Sequence, residues 1–151
     1  MPQDRKQATR EVWLDTLSRH RRGYEGPDSD AYWASAVDAA SRDEITAIQN
    51  DKLCALGPFL YENSDFYRRR FDRLGLAPSD IRTIDDLHNW PVVDKQEMVE
   101  DALANPPYGT YQTIVDADWT ERGWMLFSSS GSTSTPRVFR YTHVDREYWQ
   151  W

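Results

Sequence analysis

The sequence predicts an α/β fold in which a helix-rich N-terminal portion leads into the start of a sheet. Three observations carry this. Helix-start signatures recur at Ser41-Arg42-Asp43-Glu44, Thr83-Ile84-Asp85-Asp86 and Asp94-Lys95-Gln96-Glu97. The periodicity changes after Gly109. Two strand-like runs, Trp124-Met125-Leu126-Phe127 and Val138-Phe139-Arg140-Tyr141, then flank a stretch crowded with hydroxyls.

Residues 1–22 read as a helix with Val12, Trp13 and Leu17 as a short apolar stripe, ended by Gly23, Gly26 and Pro27. So narrow a stripe implies weak docking or fraying. A second helical piece spans about 29–39, with Tyr32, Trp33, Ala36 and Val37 at helical spacing. Ser41 and Glu44 form a capping box for a helix carrying Ile45, Ile48, Leu53, Leu56 and Leu60. Pro58 is expected to kink or interrupt it, because proline removes an amide donor and crowds the preceding turn. Another helix begins near Ser64, carries Phe66, Tyr67, Phe71 and Leu74, and stops at Gly75.

Pro78-Ser79-Asp80 opens a turn, and Thr83 starts a short helix through Leu87 that ends at Trp90-Pro91. Val92-Val93 is a brief extended link. Asp94 caps a helix bearing Met98, Val99 and Leu103, which Asn105-Pro106-Pro107-Tyr108-Gly109 breaks. Residues 111–115 read as extended, and 116–123 as a loop. Thr142-His143-Val144-Asp145 starts a final helix, with Tyr148, Trp149 and Trp151 as candidate buried rings.

At 151 residues the chain suffices for one domain with a core, and seven Trp, eight Tyr and five Phe supply large rings to fill it. No run approaches the roughly 20 apolar residues of a membrane helix, and the polar N-terminus shows no secretory signal. The net charge of −7 disfavours nucleic acid and anionic membrane as partners. The basic clusters Arg19-His20-Arg21-Arg22 and Arg68-Arg69-Arg70 with Arg73 read as solvated faces beside acidic residues. The single cysteine, Cys54, suits a reducing cytoplasm; among Leu53, Ala55 and Leu56 it reads as buried rather than nucleophilic. His20, His88 and His143 are too scattered for a metal site and read as surface or cap residues.

Seven of the eleven residues from Phe127 to Arg137 carry a hydroxyl. Backbone N–H groups and short hydroxyls converge on a phosphate with little steric bulk. Gly131 lets the backbone approach closely, Pro136 biases Thr135 toward extension, and Arg137 offers a planar cation for phosphoryl oxygens. The stretch is neither a Walker A loop nor a dinucleotide fingerprint, since the second Gly and the Gly-Lys pair are missing. Composition alone leaves a flexible linker open, and the flanking strand-like runs argue against it.

Residues Ser129-Ser130-Gly131-Ser132-Thr133-Ser134-Thr135-Pro136-Arg137 resemble the phosphate-binding motif of the adenylate-forming acyl-CoA synthetase superfamily, roughly [ST]-[ST]-G-[ST]-T-G-x-P-[KR]. The series Phe66-Tyr67-Arg68-Arg69-Arg70-Phe71, Leu76, Ile84-Asp85-Asp86-Leu87, Trp90-Pro91-Val92-Val93-Asp94-Lys95, Pro107-Tyr108-Gly109 and Tyr141-Thr142 is similar to the phenylacetate–CoA ligase family. The resemblance covers about residues 30 to 151; residues 1–29 are left as an unassigned helical extension.

The resemblance implies the beginning of the N-terminal adenylating domain of an AMP-forming carboxylate–CoA ligase. Such an enzyme uses ATP, Mg2+ and CoA on an aryl or phenylacetate-like acid, through an acyl-adenylate. It also implies that Ser129, Ser130, Gly131, Ser132 and Thr133 contact phosphate, with Ser134 beside them and Arg137 near the motif's basic residue. Ser134 stands where the motif has its second Gly; if that position needs positive φ, Ser costs of order 1 kcal/mol. The family's adenine and acid pockets, metal-serving acidic residue and catalytic Lys lie downstream of the motif. The chain alone is therefore expected to be inactive and to need the missing remainder of the ligase. The alternative is a non-catalytic helical interaction module derived from such a ligase.

Overall fold

The computed structural model describes residues 2–20, 35–90, 92–129, 136 and 138–149. Seven α-helices are described, α1 (Pro2–Arg19), α2 (Ser35–Asp38), α3 (Arg42–Asn63), α4 (Asp65–Leu74), α5 (Lys95–Ala104), α6 (Asp116–Arg122) and α7 (His143–Trp149). Two strands, β1 (Gly123–Ser128) and β2 (Val138–Thr142), form an antiparallel pair. The α/β class and the helix-rich lead into a sheet hold. The chain divides into two compact units: residues 1–63 with 68–91, and residues 64–67 with 92–151.

In the first unit the Ser41 capping box forms as expected. The Glu44 amide donates to Ser41 Oγ at 3.3 Å, and the Ser41 amide donates to Glu44 Oε2 at 2.8 Å. The Ser41 hydroxyl also donates to that carboxylate, holding Glu44 below the usual carboxylate range. Helix α3 runs through Pro58 to Asn63, so the interruption that the proline allowed for does not occur. Packing overrides the local cost: Leu53, Ala55, Gly57 and Phe59 are buried along the helix on both sides of Pro58.

Helix α1 docks on α3 rather than fraying. Trp13 stacks on Phe59 with centroids 5.8 Å apart, Thr16 is fully buried, and Val12 of the expected stripe points outward. Polar contacts complete the seam. Asn63 Nδ2 donates to Thr9 Oγ1 and to the Lys6 carbonyl, and Arg10 donates to Asn63 Oδ1. At the other end Asp51 Oδ2 accepts from Arg19 at 2.8 Å and pairs with His20 Nε2 at 2.6 Å. A narrow stripe suffices because side-chain bonds across the two helices supplement it.

Phe71, Leu53 and Ile81 form the core of this unit, with Trp90 and Tyr61 packed against Phe71 at 5.3 and 5.8 Å between centroids. Gly75 ends α4 as expected. Its φ is +66°, its amide donates to the Asp72 carbonyl, and the Leu76 amide reaches back to the Phe71 carbonyl, a Schellman closure. Asp86 Oδ2 accepts from the amides of Arg82 and Thr83 and from the Thr83 hydroxyl, which together hold its carboxyl below the usual range. Two expectations fail here. Cys54 is exposed, with Sγ 3.5 Å from the Arg82 carbonyl, because the buried faces of α3 are filled by its neighbours. Arg70 is buried rather than part of a solvated face.

Of the piece expected at 29–39, α2 holds Ser35–Asp38, and residues 21–34 lie outside the described residues.

In the second unit Ser64 caps the start of α4, accepting from the Tyr67 amide at 3.3 Å and donating to the Thr110 carbonyl at 2.9 Å. Asp94 caps α5 by accepting from the Gln96 amide at 2.6 Å, and Glu97 reaches back to the Asp94 amide at 3.2 Å. Buried Asp101 organises the break after α5: it accepts from the Thr110 amide, the Thr110 hydroxyl and Asn105 Nδ2. Gly109 fits there because its φ is +71° and an added Cβ would lie 2.7 Å from both Asp101 Oδ2 and the Tyr111 ring. Residues 111–115 carry no strand. Residues 116–122, expected as a loop, form α6. The missed signal was acidic residues in its first turn and Arg122 in its last, the order that suits a helix dipole.

Candidate functional site

The two strands stand where the sequence placed them, on either side of the hydroxyl-rich stretch. Their register pairs Met125 with Tyr141, Leu126 with Arg140, Phe127 with Phe139 and Ser128 with Val138, with an irregularity between Gly123 and Met125. Ser128↔Val138 is the last pair of the ladder, and residues 129–137 connect the two strands. Of the expected phosphate contacts, Ser129 is described and is half-buried directly after β1. Ser130, Gly131, Ser132, Thr133, Ser134 and Arg137 lie outside the described residues, as do the side chains of Tyr148 and Trp149 and all of Trp151.

The hairpin is locked by its rings and by a polar brace. Phe127 meets Tyr141 edge-on at 4.9 Å and Trp124 at 6.0 Å, and Tyr111 packs on Phe139 at 6.1 Å. These pairs join neighbouring strands and the 108–114 segment in one aromatic layer. The Val138 carbonyl accepts two side-chain donors, Gln112 Nε2 at 2.9 Å and the Tyr111 hydroxyl at 3.3 Å. Arg140 spreads its guanidinium over three acceptors: Nε to Gln112 Oε1 at 3.1 Å, one terminal nitrogen to Asp116 Oδ1 at 2.8 Å, and the other to the Ile114 carbonyl. Its Cζ lies over the Tyr108 ring, 4.3 Å from the centroid. At the end of β2, Asp145 accepts from the Thr142 amide at 2.7 Å and hydroxyl at 2.8 Å, which starts α7 as the sequence indicated.

Arg140 is thus a structural cation, and its side chain is 7% exposed. Sequence reasoning placed it in a strand and gave it no role, and it passed over Gln112 and Tyr108. One signal was available: Arg140 is the lone charge in an apolar run, and such a residue needs partners if it faces inward.

No described helix is long and apolar enough to cross a membrane. Among the described residues, no three His, Cys, Asp or Glu side chains converge where a cation could be held.

No protein-family model matches the chain. Among curated proteins it is similar to phenylacetate–coenzyme A ligases. The Escherichia coli (strain K12) protein is 34% identical over 113 residues, 75% of this chain and 24% of the relative. The Pseudomonas putida protein is 30% identical over 122 residues, 81% of this chain and 26% of the relative. The chain therefore spans about a quarter of the length of these relatives. Among solved structures it is similar to 2-hydroxyisobutyryl-CoA ligase. The postadenylation state with 2-HIB-AMP matches with a TM-score of 0.69 at 24% identity, covering 81% of this chain and 24% of that one. The thioesterification state with 2-HIB-AMP and CoA matches with a TM-score of 0.69 at 25% identity, covering 81% and 25%. The chain is thus similar over three-quarters of its length to phenylacetate–CoA ligases, and over four-fifths of its length it shares the fold of 2-hydroxyisobutyryl-CoA ligase.

Proposed function

We propose that the chain is the N-terminal part of an AMP-forming carboxylate–CoA ligase, acting on an aryl or phenylacetate-like acid, with residues 129–137 as the loop that holds the phosphates of ATP. The hairpin carries this proposal: a hydroxyl-rich stretch ending in Pro136 and Arg137 is presented beyond the pair Ser128↔Val138, from a base locked by rings and by Arg140. Relatives named phenylacetate–coenzyme A ligase support the acid class, and neighbours holding 2-HIB-AMP and CoA support adenylate and thioester chemistry. Residues 1–29 would be an extension of this part, and residues 30–151 its adenylating portion. A single cysteine suits a cytoplasmic enzyme.

Chemically, Ser129, Ser130, Ser132, Thr133 and Ser134 offer hydroxyls and amides, Gly131 an unobstructed backbone, and Arg137 a planar cation. Donors fixed before the charge shifts stabilise a departing pyrophosphate without reorganising. No step is assigned to Mg2+, since among the described residues no three His, Cys, Asp or Glu side chains converge on one point.

The chain spans a quarter of its relatives, so the 151 residues alone should not catalyse ATP–pyrophosphate exchange. Fused in frame to the remaining three-quarters of the E. coli ligase, they should support exchange that depends on phenylacetate. Exchange by the chain alone, or a folded fusion without exchange, would count against the proposal.

A further inference from the structure

We propose that β1 is an interior strand of a larger sheet, and that the ligase polypeptide outside this chain covers it with a further strand at its outer edge and an apolar layer over each face. This rests on the reading of the chain as the N-terminal part of a ligase. The run Trp124-Met125-Leu126-Phe127 is apolar without alternation, the pattern of a strand buried on both faces. Pairing is regular from Met125 to Ser128, so Met125 and Leu126 point to opposite faces. Both are open, Met125 at 40% exposure and Leu126 at 49%. The described cover lies over β2 instead, none of whose residues is exposed. On the face that Leu126 shares with its pair Arg140, Gln112 and Tyr108 close over the guanidinium while Leu126 stays half open. On the other face Tyr141 takes the edge of Phe127, and its own pair Met125 is left uncovered. Among the described residues, no strand other than β2 pairs with β1.

A two-stranded sheet is marginal by itself, and an apolar edge strand invites pairing. A second copy joined through the outer edge of β1 would supply one strand and leave Met125 and Leu126 with no layer over them. A longer polypeptide supplies strand and layers together. The phenylacetate–CoA ligases that the chain matches have about three-quarters of their length outside the match, and the fold shared with 2-hydroxyisobutyryl-CoA ligase takes in 24% of that chain. The covering segments would present aliphatic or aromatic side chains to Met125 and Leu126, since water leaves such a surface favourably only for apolar contact.

The test compares the 151-residue chain with its in-frame fusion to the remaining three-quarters of the E. coli ligase. Hydrogen exchange of a peptide covering 123–128 should slow at least about tenfold in the fusion, whether or not the fusion is active. Met125→Lys and Leu126→Lys place a charge on each face; Val12→Lys, at a residue 55% exposed in the other compact unit, is the control. In the chain alone all three should leave the urea midpoint unchanged, because the replaced side chains are already open. In the fusion Met125→Lys and Leu126→Lys should each lower phenylacetate-dependent ATP–pyrophosphate exchange at least about tenfold and undo the protection of 123–128, while Val12→Lys changes activity less than about twofold. Equal hydrogen exchange of 123–128 in chain and fusion, or Lys variants as active as the unsubstituted fusion, would overturn the proposal. So would a dimer of the chain that persists in the fusion and is broken by Leu126→Lys, since a second copy would then be the occupant. A folded fusion that protects 123–128 but carries out no ATP–pyrophosphate exchange would leave the covering of β1 standing and count against the ligase activity instead.

Discussion

Replacing Arg140 by Ala should unfold the second compact unit far more easily than an ordinary surface substitution. Its side chain is 7% exposed while its ionic partner Asp116 is 95% exposed, so that ion pair contributes only about 0–1 kcal/mol. The bonds to Gln112 Oε1 and the Ile114 carbonyl contribute more, of order 1.5 kcal/mol each as bonds from a charged donor. The Tyr108 face at 4.3 Å adds about 0.5–1 kcal/mol. Shared partners make these contributions less than additive, so we expect a loss of about 3 kcal/mol. With a urea dependence of about 1–3 kcal/mol per molar, the midpoint should fall by at least about 1 M. Urea unfolding followed by hydrogen exchange of the amides in 123–128 and 138–142 reads this unit separately. Arg140→Lys should recover no more than about 1 kcal/mol, because an ammonium cannot fork across three acceptors. A loss below about 1 kcal/mol, or full rescue by Lys, would refute the brace.

Two further perturbations test the first unit. Gly75→Ala should cost about 1 kcal/mol from backbone strain alone, since φ is +66° and nothing lies within 4 Å of the added Cβ; a neutral result in chemical denaturation would contradict the Schellman closure. Asp51 is held below the usual aspartate range, chiefly by its bond to His20 and further by the charge of Arg19, which together outweigh the opposing cost of burial. A depressed carboxyl contributes fully above the unfolded value of about 3.9 and loses that contribution as pH falls through the lower folded value. The unsubstituted chain should therefore lose stability more steeply than Asp51→Asn as pH drops from about 5 toward about 3; parallel thermal-unfolding curves would sink this account of how α1 is held.

Local chemistry was legible where a few neighbouring residues decide the outcome. The capping residues Ser41, Ser64 and Asp94, the stop at Gly75 and the two strands all follow from side chains bonding within four positions or from simple alternation. What escaped the sequence depends on distant partners. Helix α3 continues through Pro58 because the residues around it are buried, and α1 docks because Thr16, Asn63 and Asp51 supplement the single stacked ring of Trp13. The brace joins Gln112 to Val138 and Arg140 across more than 25 positions, a pairing no local pattern announces. The hydroxyl-rich stretch was readable, but the polar frame around β2 was not, since that frame is built from Tyr108, Tyr111 and Gln112.

The central claim is that residues 129–137 hold phosphate, and backbone amide resonances of the chain titrated with magnesium pyrophosphate test it most directly. The shifts should concentrate on Ser129 to Thr133 and Arg137, and Arg137→Ala should weaken binding about tenfold while leaving the strand amides of 123–128 and 138–142 in place. No shift in the loop at millimolar pyrophosphate, or shifts that persist unchanged in Arg137→Ala, would contradict it.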